Sequence, residues 1–167
     1  TADISLNVTD DAIVETDETV IVDISNPSAG YLGTNTQHTY TINDDDDPPT
    51  VAFDLSTSAT ADETAVAHNM ALSLSAVSGK TVSVTVTDSG GSATLSGDYN
   101  LTGGTPQTVS FNPGETTKNI TITPIVDGTD EGTGETVIFT LSSPSNATIG
   151  AIGTHTATIT DDDGTPT

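Results

Sequence analysis

The sequence predicts an all-β chain folded as an antiparallel sandwich. Three observations predict it: β-branched residues alternate with polar ones over short runs, Gly, Pro, Asn and Ser clusters punctuate those runs, and no segment has convincing helical periodicity. The composition agrees, since 32% apolar and 4% aromatic content suits a thin sandwich whose outer faces are Ser and Thr. A length of 167 residues accommodates one or two domains.

In chain order, the first strand candidates are residues 3–8, 19–24 and 37–42. After Pro48 and Pro49 come seven more, at 50–55, 65–75, 81–87, 107–111, 118–126, 136–142 and 154–160. Met70, Leu72 and Leu74, then Val82, Val84 and Val86, then Val137, Phe139 and Leu141 each place one apolar face on a strand. Seven such strands in about 110 residues indicate an immunoglobulin-like β-sandwich.

Shifting the sequence by 117 residues aligns "ETVIVDISNPSAGYLGTNTQHTYTINDDDD" from Glu18 with "ETVIFTLSSPSNATIGAIGTHTATITDDDG" from Glu135, without gaps. A period of that size is a domain, so tandem repeats are expected. Residues 1–47 then read as the C-terminal half of a first domain, its last three strands, and residues 48–167 as a complete seven-stranded one. Three strands without a facing sheet leave an apolar face in water and unpaired edges. The first half-domain is therefore expected to need completion, by preceding sequence of a longer protein or by another chain. The opening "TADISLNV" already reads as a strand, which suggests an internal piece.

The formal charge is −22, from 24 acids against two lysines and no arginine. Nothing is available to neutralise phosphates, which excludes nucleic acid and argues against anionic membrane surfaces. No apolar run is long enough for membrane insertion. The absence of cysteine removes disulfides, thiolate metal sites and a cysteine nucleophile. A cation is then the natural ligand for clustered acids, and clustered they are: "TINDDDDPPT" from Thr41 is echoed by "TITDDDGTPT" from Thr158.

The chain resembles the Calx-beta family of β-sandwich modules, known from the regulatory region of sodium-calcium exchangers and from repetitive bacterial surface proteins. The resemblance rests on "DDAIVETDETVIVDISNP" from Asp10, "DGTDEGTGETVIFTLSSP" from Asp127 and the "TINDDD" and "TITDDD" ends, with "ADET" and "SGDYN" ahead of "FNPGET". It implies calcium ligands at Glu63, Asp98, Asp127, Glu135, Asp161, Asp162 and Asp163, and in the first copy at Asp10, Asp11, Glu15, Glu18, Asp44, Asp45 and Asp46. Two positions depart from the family's pattern, becoming Gly128 and Gly132; Asp130 and Glu131 lie beside them and are expected to compensate after a loop shift. The first copy lacks counterparts of Glu63 and Asp98.

Calcium takes six to eight oxygens at roughly 2.3–2.6 Å, so acids from several loops must converge. Three successive Asp cannot all face one ion from an extended strand. The triplet 161–163 is therefore expected to bend, to serve two ions, or to offer a carbonyl. His38 and His155 occupy equivalent positions, read as one off the apolar register, which favours a structural or surface role; His68 has no triad spacing. No nucleophile elbow occurs, and three Tyr, three Phe and no Trp are too few to line a sugar cleft. The expectation is therefore not an enzyme. It is a calcium-stiffened structural repeat of a large extracellular or cell-surface, bacterial, adhesion-type protein. Its partners would be neighbouring repeats or other copies, with a protein or glycan adhesion target. The alternative is a filament subunit whose half-domain is completed by strands of a neighbouring chain.

Overall fold

A computed structural model describes residues 3–59, 63–132 and 134–164. Ala61 and Asp62 of the "ADET" stretch, and residues 165–167, lie outside the described residues. Two strands, β1 (Glu18–Asp23) and β2 (Gln37–Ile42), form a separate two-stranded sheet. Ten more follow: β3 (Thr50–Phe53), β4 (Thr57–Ala59), β5 (His68–Leu74), β6 (Val82–Gly91), β7 (Tyr99–Leu101), β8 (Gln107–Phe111), β9 (Thr117–Pro124), β10 (Glu135–Ser145), β11 (Thr148–Ile149) and β12 (Thr154–Ile159). They build two five-stranded sheets, β4-β12-β10-β6-β8 and β11-β3-β5-β9-β7. The immunoglobulin-like all-β sandwich predicted from alternation is what folds.

Alternation also locates the core. On β5, Met70, Leu72 and Leu74 point inward, on β6 Val82, Val84 and Val86, and on β10 Val137, Phe139 and Leu141, while the intervening polar residues stay partly exposed. Both sheets feed one apolar cluster, in which Phe53, Tyr99, Phe111 and Phe139 are the largest buried side chains. The chain then changes sheets near the start. β3 pairs antiparallel with β5 through Val51↔Leu74, whereas β4 pairs parallel with β12 through Ala157↔Ser58. This crossing ties the sheets together at the edge from which Glu63 is reached.

The structure corrects four sequence readings. Seven strands become ten because β4, β7 and β11 are only two or three residues long, too short to display a period. Residues 3–8 alternate but form no strand. The strand 117 residues further on, β9, is held between β5 and β7, and among the described residues no strand pairs with residues 3–8. β6 runs on to Gly91, beyond the expected end at 87. Finally, His155 is not off the apolar register: it is 2% exposed and shares the inward face of β12 with Ala157 and Ile159.

The hairpin of β1 and β2 has the register of β10 and β12, displaced by 117. Val20↔Tyr40 and Val22↔His38 in the one are Val137↔Ala157 and Phe139↔His155 in the other. Burial differs sharply: Val137, Phe139 and Ala157 are each 0% exposed, while Tyr40 is 49% exposed.

Candidate metal centre

One end of the sandwich is assembled from four stretches that sequence alone leaves far apart. The turn after β4 brings Glu63, the β6–β7 connection brings Asp98, the β9–β10 loop brings Asp127, Asp130 and Glu131 before Glu135 opens β10, and the exit from β12 brings Asp161, Asp162 and Asp163. Local chemistry fixes each. Tyr99, fully buried beside Asp98, donates its hydroxyl to Asp88 Oδ2, and the Ile125 amide donates to the Asp98 carbonyl at 2.9 Å. Asp98 itself accepts from the Thr94 amide and, at 2.8 Å, from the Thr94 hydroxyl. Gly132 has φ +84, a conformation that disfavours the glutamate found 117 residues earlier, Glu15. Its amide donates to Asp130 Oδ1 and Asp161 Oδ2, both at 3.0 Å, so the departure from the family's pattern is used to lock the loop onto the Asp triplet.

Carboxylate oxygens converge in two groups: Glu63 with Glu131 and Asp161, and Glu63 with Asp162 and Asp163, each within 4.8 Å of one another. Oxygens around one calcium, each about 2.4 Å from it, lie at most about 4.8 Å apart, so both groups match an ion of that size. Glu63 is common to both, and the triplet divides between them. Asp98 and Glu135 lie alongside and share a hydrogen bond. Asp127 and Asp130 hold loop amides, those of Thr129 at 2.7 Å and Gly132.

The electrostatics are those of a centre short of positive charge. Glu63 is 4% exposed, and burial, then Glu131, Asp127, Asp161 and Asp163, push its pKa up to about 7. Burial also raises Glu131, Glu135 and Asp163, with neighbouring acids adding to it. For Asp98 burial opposes ionisation, but hydrogen bonds from Thr94 and Glu135 outweigh it and hold the carboxyl below its usual range. Among the described residues, buried Glu63 Oε2, Glu131 Oε2, Glu135 Oε2 and Asp163 Oδ2 accept no hydrogen bond. Neither lysine helps: Lys118 pairs with Glu115 at 2.7 Å and Lys80 with Asp44 at 3.6 Å. Buried, orphaned carboxylate oxygens with no protein cation are costly. The all-oxygen donor set fits a hard divalent cation, calcium better than magnesium, which demands tighter octahedral geometry.

The N-terminal acids gather differently. Asp10, Asp11, Glu15, Glu18, Asp44, Asp45 and Asp46 line one open cleft of about 500 Å³. Burial, then Asp44, Asp45, Asp11 and Asp10, raise Asp46. Among the described residues these acids form no triplet as tight as those around Glu63, consistent with the missing counterparts of Glu63 and Asp98. Sequence reasoning did not anticipate what borders this cleft. The β5–β6 turn reaches it: the Gly79 amide donates to the Val14 carbonyl at 2.9 Å, Val14 is 4% exposed, and Lys80 pairs with Asp44. A Cβ on Gly79 would lie 2.9 Å from Glu15 Cγ, so only glycine admits this approach without displacing Glu15. The one available signal was that "SGK" holds one of only two lysines.

Solved structures share this architecture. The apo-form Calx CBD1 domain superposes with a TM-score of 0.61 at 20% identity, covering 70% of this chain and 100% of its own. CBD12 from CALX1.2 and the calcium binding domain CBD12 of CALX1.1 give 0.59 and 0.57, both at 20% identity. Each covers 68% of this chain, which spans 44% and 46% of theirs, less than half. At that identity the likeness is one of fold. No curated protein matches in sequence. The Calx-beta domain family matches residues 1–46 and again 44–163. Those two stretches are the hairpin with its open acidic cleft and the sandwich with its converging carboxylates, and the chain belongs to the Calx-beta domain family.

Proposed function

We propose that the protein is a calcium-binding structural module, in which Glu63 is the shared central ligand. Glu131 and Asp161 complete one position, Asp162 and Asp163 the other, with Asp98, Asp127 and Glu135 in support. The observation that carries this reading is the 4% exposed Glu63 carboxylate, whose Oε2 accepts no hydrogen bond among the described residues and which lies among Glu131, Asp127, Asp161 and Asp163. Calcium would neutralise that end and stabilise the fold by mass action. The N-terminal acids form a second, looser site, and we read residues 1–47 and 48–167 as successive repeats. Contact of the β5–β6 turn with Val14 and Asp44 supports stiffening of the junction, reinforced by Pro48 and Pro49. The role that follows is a rigid spacer in an extracellular, adhesion-type bacterial surface protein, acting by binding rather than catalysis, with neighbouring repeats and a protein or glycan target as partners.

The identical register of β1–β2 and β10–β12, with Tyr40 of the former exposed and Val20 and Val22 only half-buried, supports a second reading. Strands from a neighbouring chain complete the hairpin and build a filament. Sedimentation of the full chain distinguishes the two, because a concentration-dependent polymer is expected only of the filament. For calcium, thermal melting with and without millimolar metal is the test. An unchanged midpoint sinks the ligation reading.

A further inference from the structure

A hydrogen-bonded chain of polar side chains crosses the sandwich outside the acid-rich end. Ser58 Oγ lies 2.8 Å from Nε2 of His68 and 2.8 Å from Nε2 of His155, and His155 Nδ1 lies 2.7 Å from the Leu55 carbonyl oxygen. A carbonyl only accepts, so His155 Nδ1 carries a proton. Nε2 of the neutral ring then accepts the Ser58 hydroxyl, and the Ser58 oxygen accepts from His68 Nε2–H. The donations run in one direction from β5 in one sheet, through β4, to β12 in the other. Phe53 packs against the His155 ring, the two tilted by 40° with a centroid distance of 5.3 Å. Among the described residues no carboxylate or ammonium hydrogen-bonds either ring.

The strand so held is weak on its own. Among the described residues β4 has three residues, sits at a sheet edge and pairs only with β12. Glu63 follows Ser58 by five residues, so the position of β4 limits where the carboxylate can lie. Valine at these positions could pack but could not make the directed chain.

We propose that Ser58, His68 and His155 are positioning residues for Glu63, forming a clasp that holds β4 between the sheets and is released by protonation. The proposal rests on the cation reading of Glu63. A second proton on His68 would place a positive charge in this part-buried chain, beside the His155 ring, with no hydrogen-bonded carboxylate to offset it. Burial, then the His155 ring, lowers His68 from its ordinary 6.5. For a group whose folded pKa is lowered, the clasp is fully present above the unfolded value and is lost as pH falls through the folded one.

The full chain carries the test, with calcium titrations at about pH 7.5 and about pH 5.5 and amide exchange of Thr156, which donates to the Ser56 carbonyl at 2.9 Å. Ser58→Ala is expected to weaken calcium binding about five- to tenfold at the higher pH, the effect of one lost hydrogen bond. His68→Gln retains a donor that does not titrate; it is expected to bind as the parent does at the higher pH and to lose less affinity on acidification. Unchanged affinity in Ser58→Ala, or a parental pH profile in His68→Gln, overturns the proposal. Should the parent take up no calcium, the cation reading fails separately, and metal-free exchange still judges the clasp. Thr156 must exchange faster in Ser58→Ala, and faster on acidification in the parent than in His68→Gln. Equal rates overturn it.

Discussion

The β1–β2 hairpin and the β10–β12 pair are the same object in two settings. Their ladders agree residue for residue over six pairs, yet Phe139 is 0% exposed while its counterpart Val22 lines an open cleft of about 350 Å³. His155 is clasped by Ser58 and the Leu55 carbonyl; His38 lines the same open cleft. Pairing between two strands is thus a property of the segment, whereas burial is a property of what faces it. The same contrast divides the acids. The N-terminal carboxylates, which nothing like Glu63 or Asp98 joins among the described residues, line a wide cleft instead of closing around a point.

The contrast can be broken most severely in the core. Phe139→Ala should cost about 3–5 kcal/mol in urea unfolding, while Val22→Ala should stay within about 1 kcal/mol. Equal costs would mean that the hairpin is covered in solution.

Next in size is the response to metal. Ten millimolar calcium should stabilise the sandwich by about 1.4–2.7 kcal/mol per ion at the dissociation constants usual for extracellular modules. Glu63→Gln should abolish most of that gain, Asp162→Ala should remove part of it, and Asp44→Asn should leave the sandwich transition unchanged. Calorimetry with and without calcium reads all three.

The dependence on pH sharpens the comparison further. Glu63 is raised to about 7 from 4.5, so the metal-free fold takes up a proton that the unfolded chain does not hold. Its contribution is fully present below 4.5 and lost as pH rises through about 7. Metal-free melting should therefore climb by about 4 °C or more between about pH 7.5 and pH 6. Saturating calcium should reverse the slope, and Glu63→Gln should flatten it. The smallest effect is expected at the junction: Lys80→Gln removes a partly exposed ion pair, worth about 1 kcal/mol or less, and should show as faster exchange of the Gly79 amide with little change in melting.

Much of this was legible in the sequence. Strands β5, β6, β8, β9 and β10 could be read because apolar residues recur at every second position on their inward faces. The acids of the metal centre could be named from the resemblance. What escaped has a common cause. β4, β7 and β11 are too short to show a period, and β4 and β11 owe their existence to parallel partners distant in sequence. His155 was misread because threonine alternates with histidine, alanine and isoleucine on β12, and only the opposing sheet reveals which set is inside. Residues 3–8 have the pattern of a strand without a partner to make them one.

The sequence by itself determined the class of fold and the likeness of the two hairpin segments at an offset of 117, and it named the acids that the structure gathers at one end, because these are read from side-chain alternation and from short stretches of chain. Only the tertiary structure decided which carboxylates meet at Glu63, which lysine borders the N-terminal cleft and which histidine is buried. Each of those depends on two sheets packing face to face and bringing together segments up to a hundred residues apart, a geometry that no local pattern encodes.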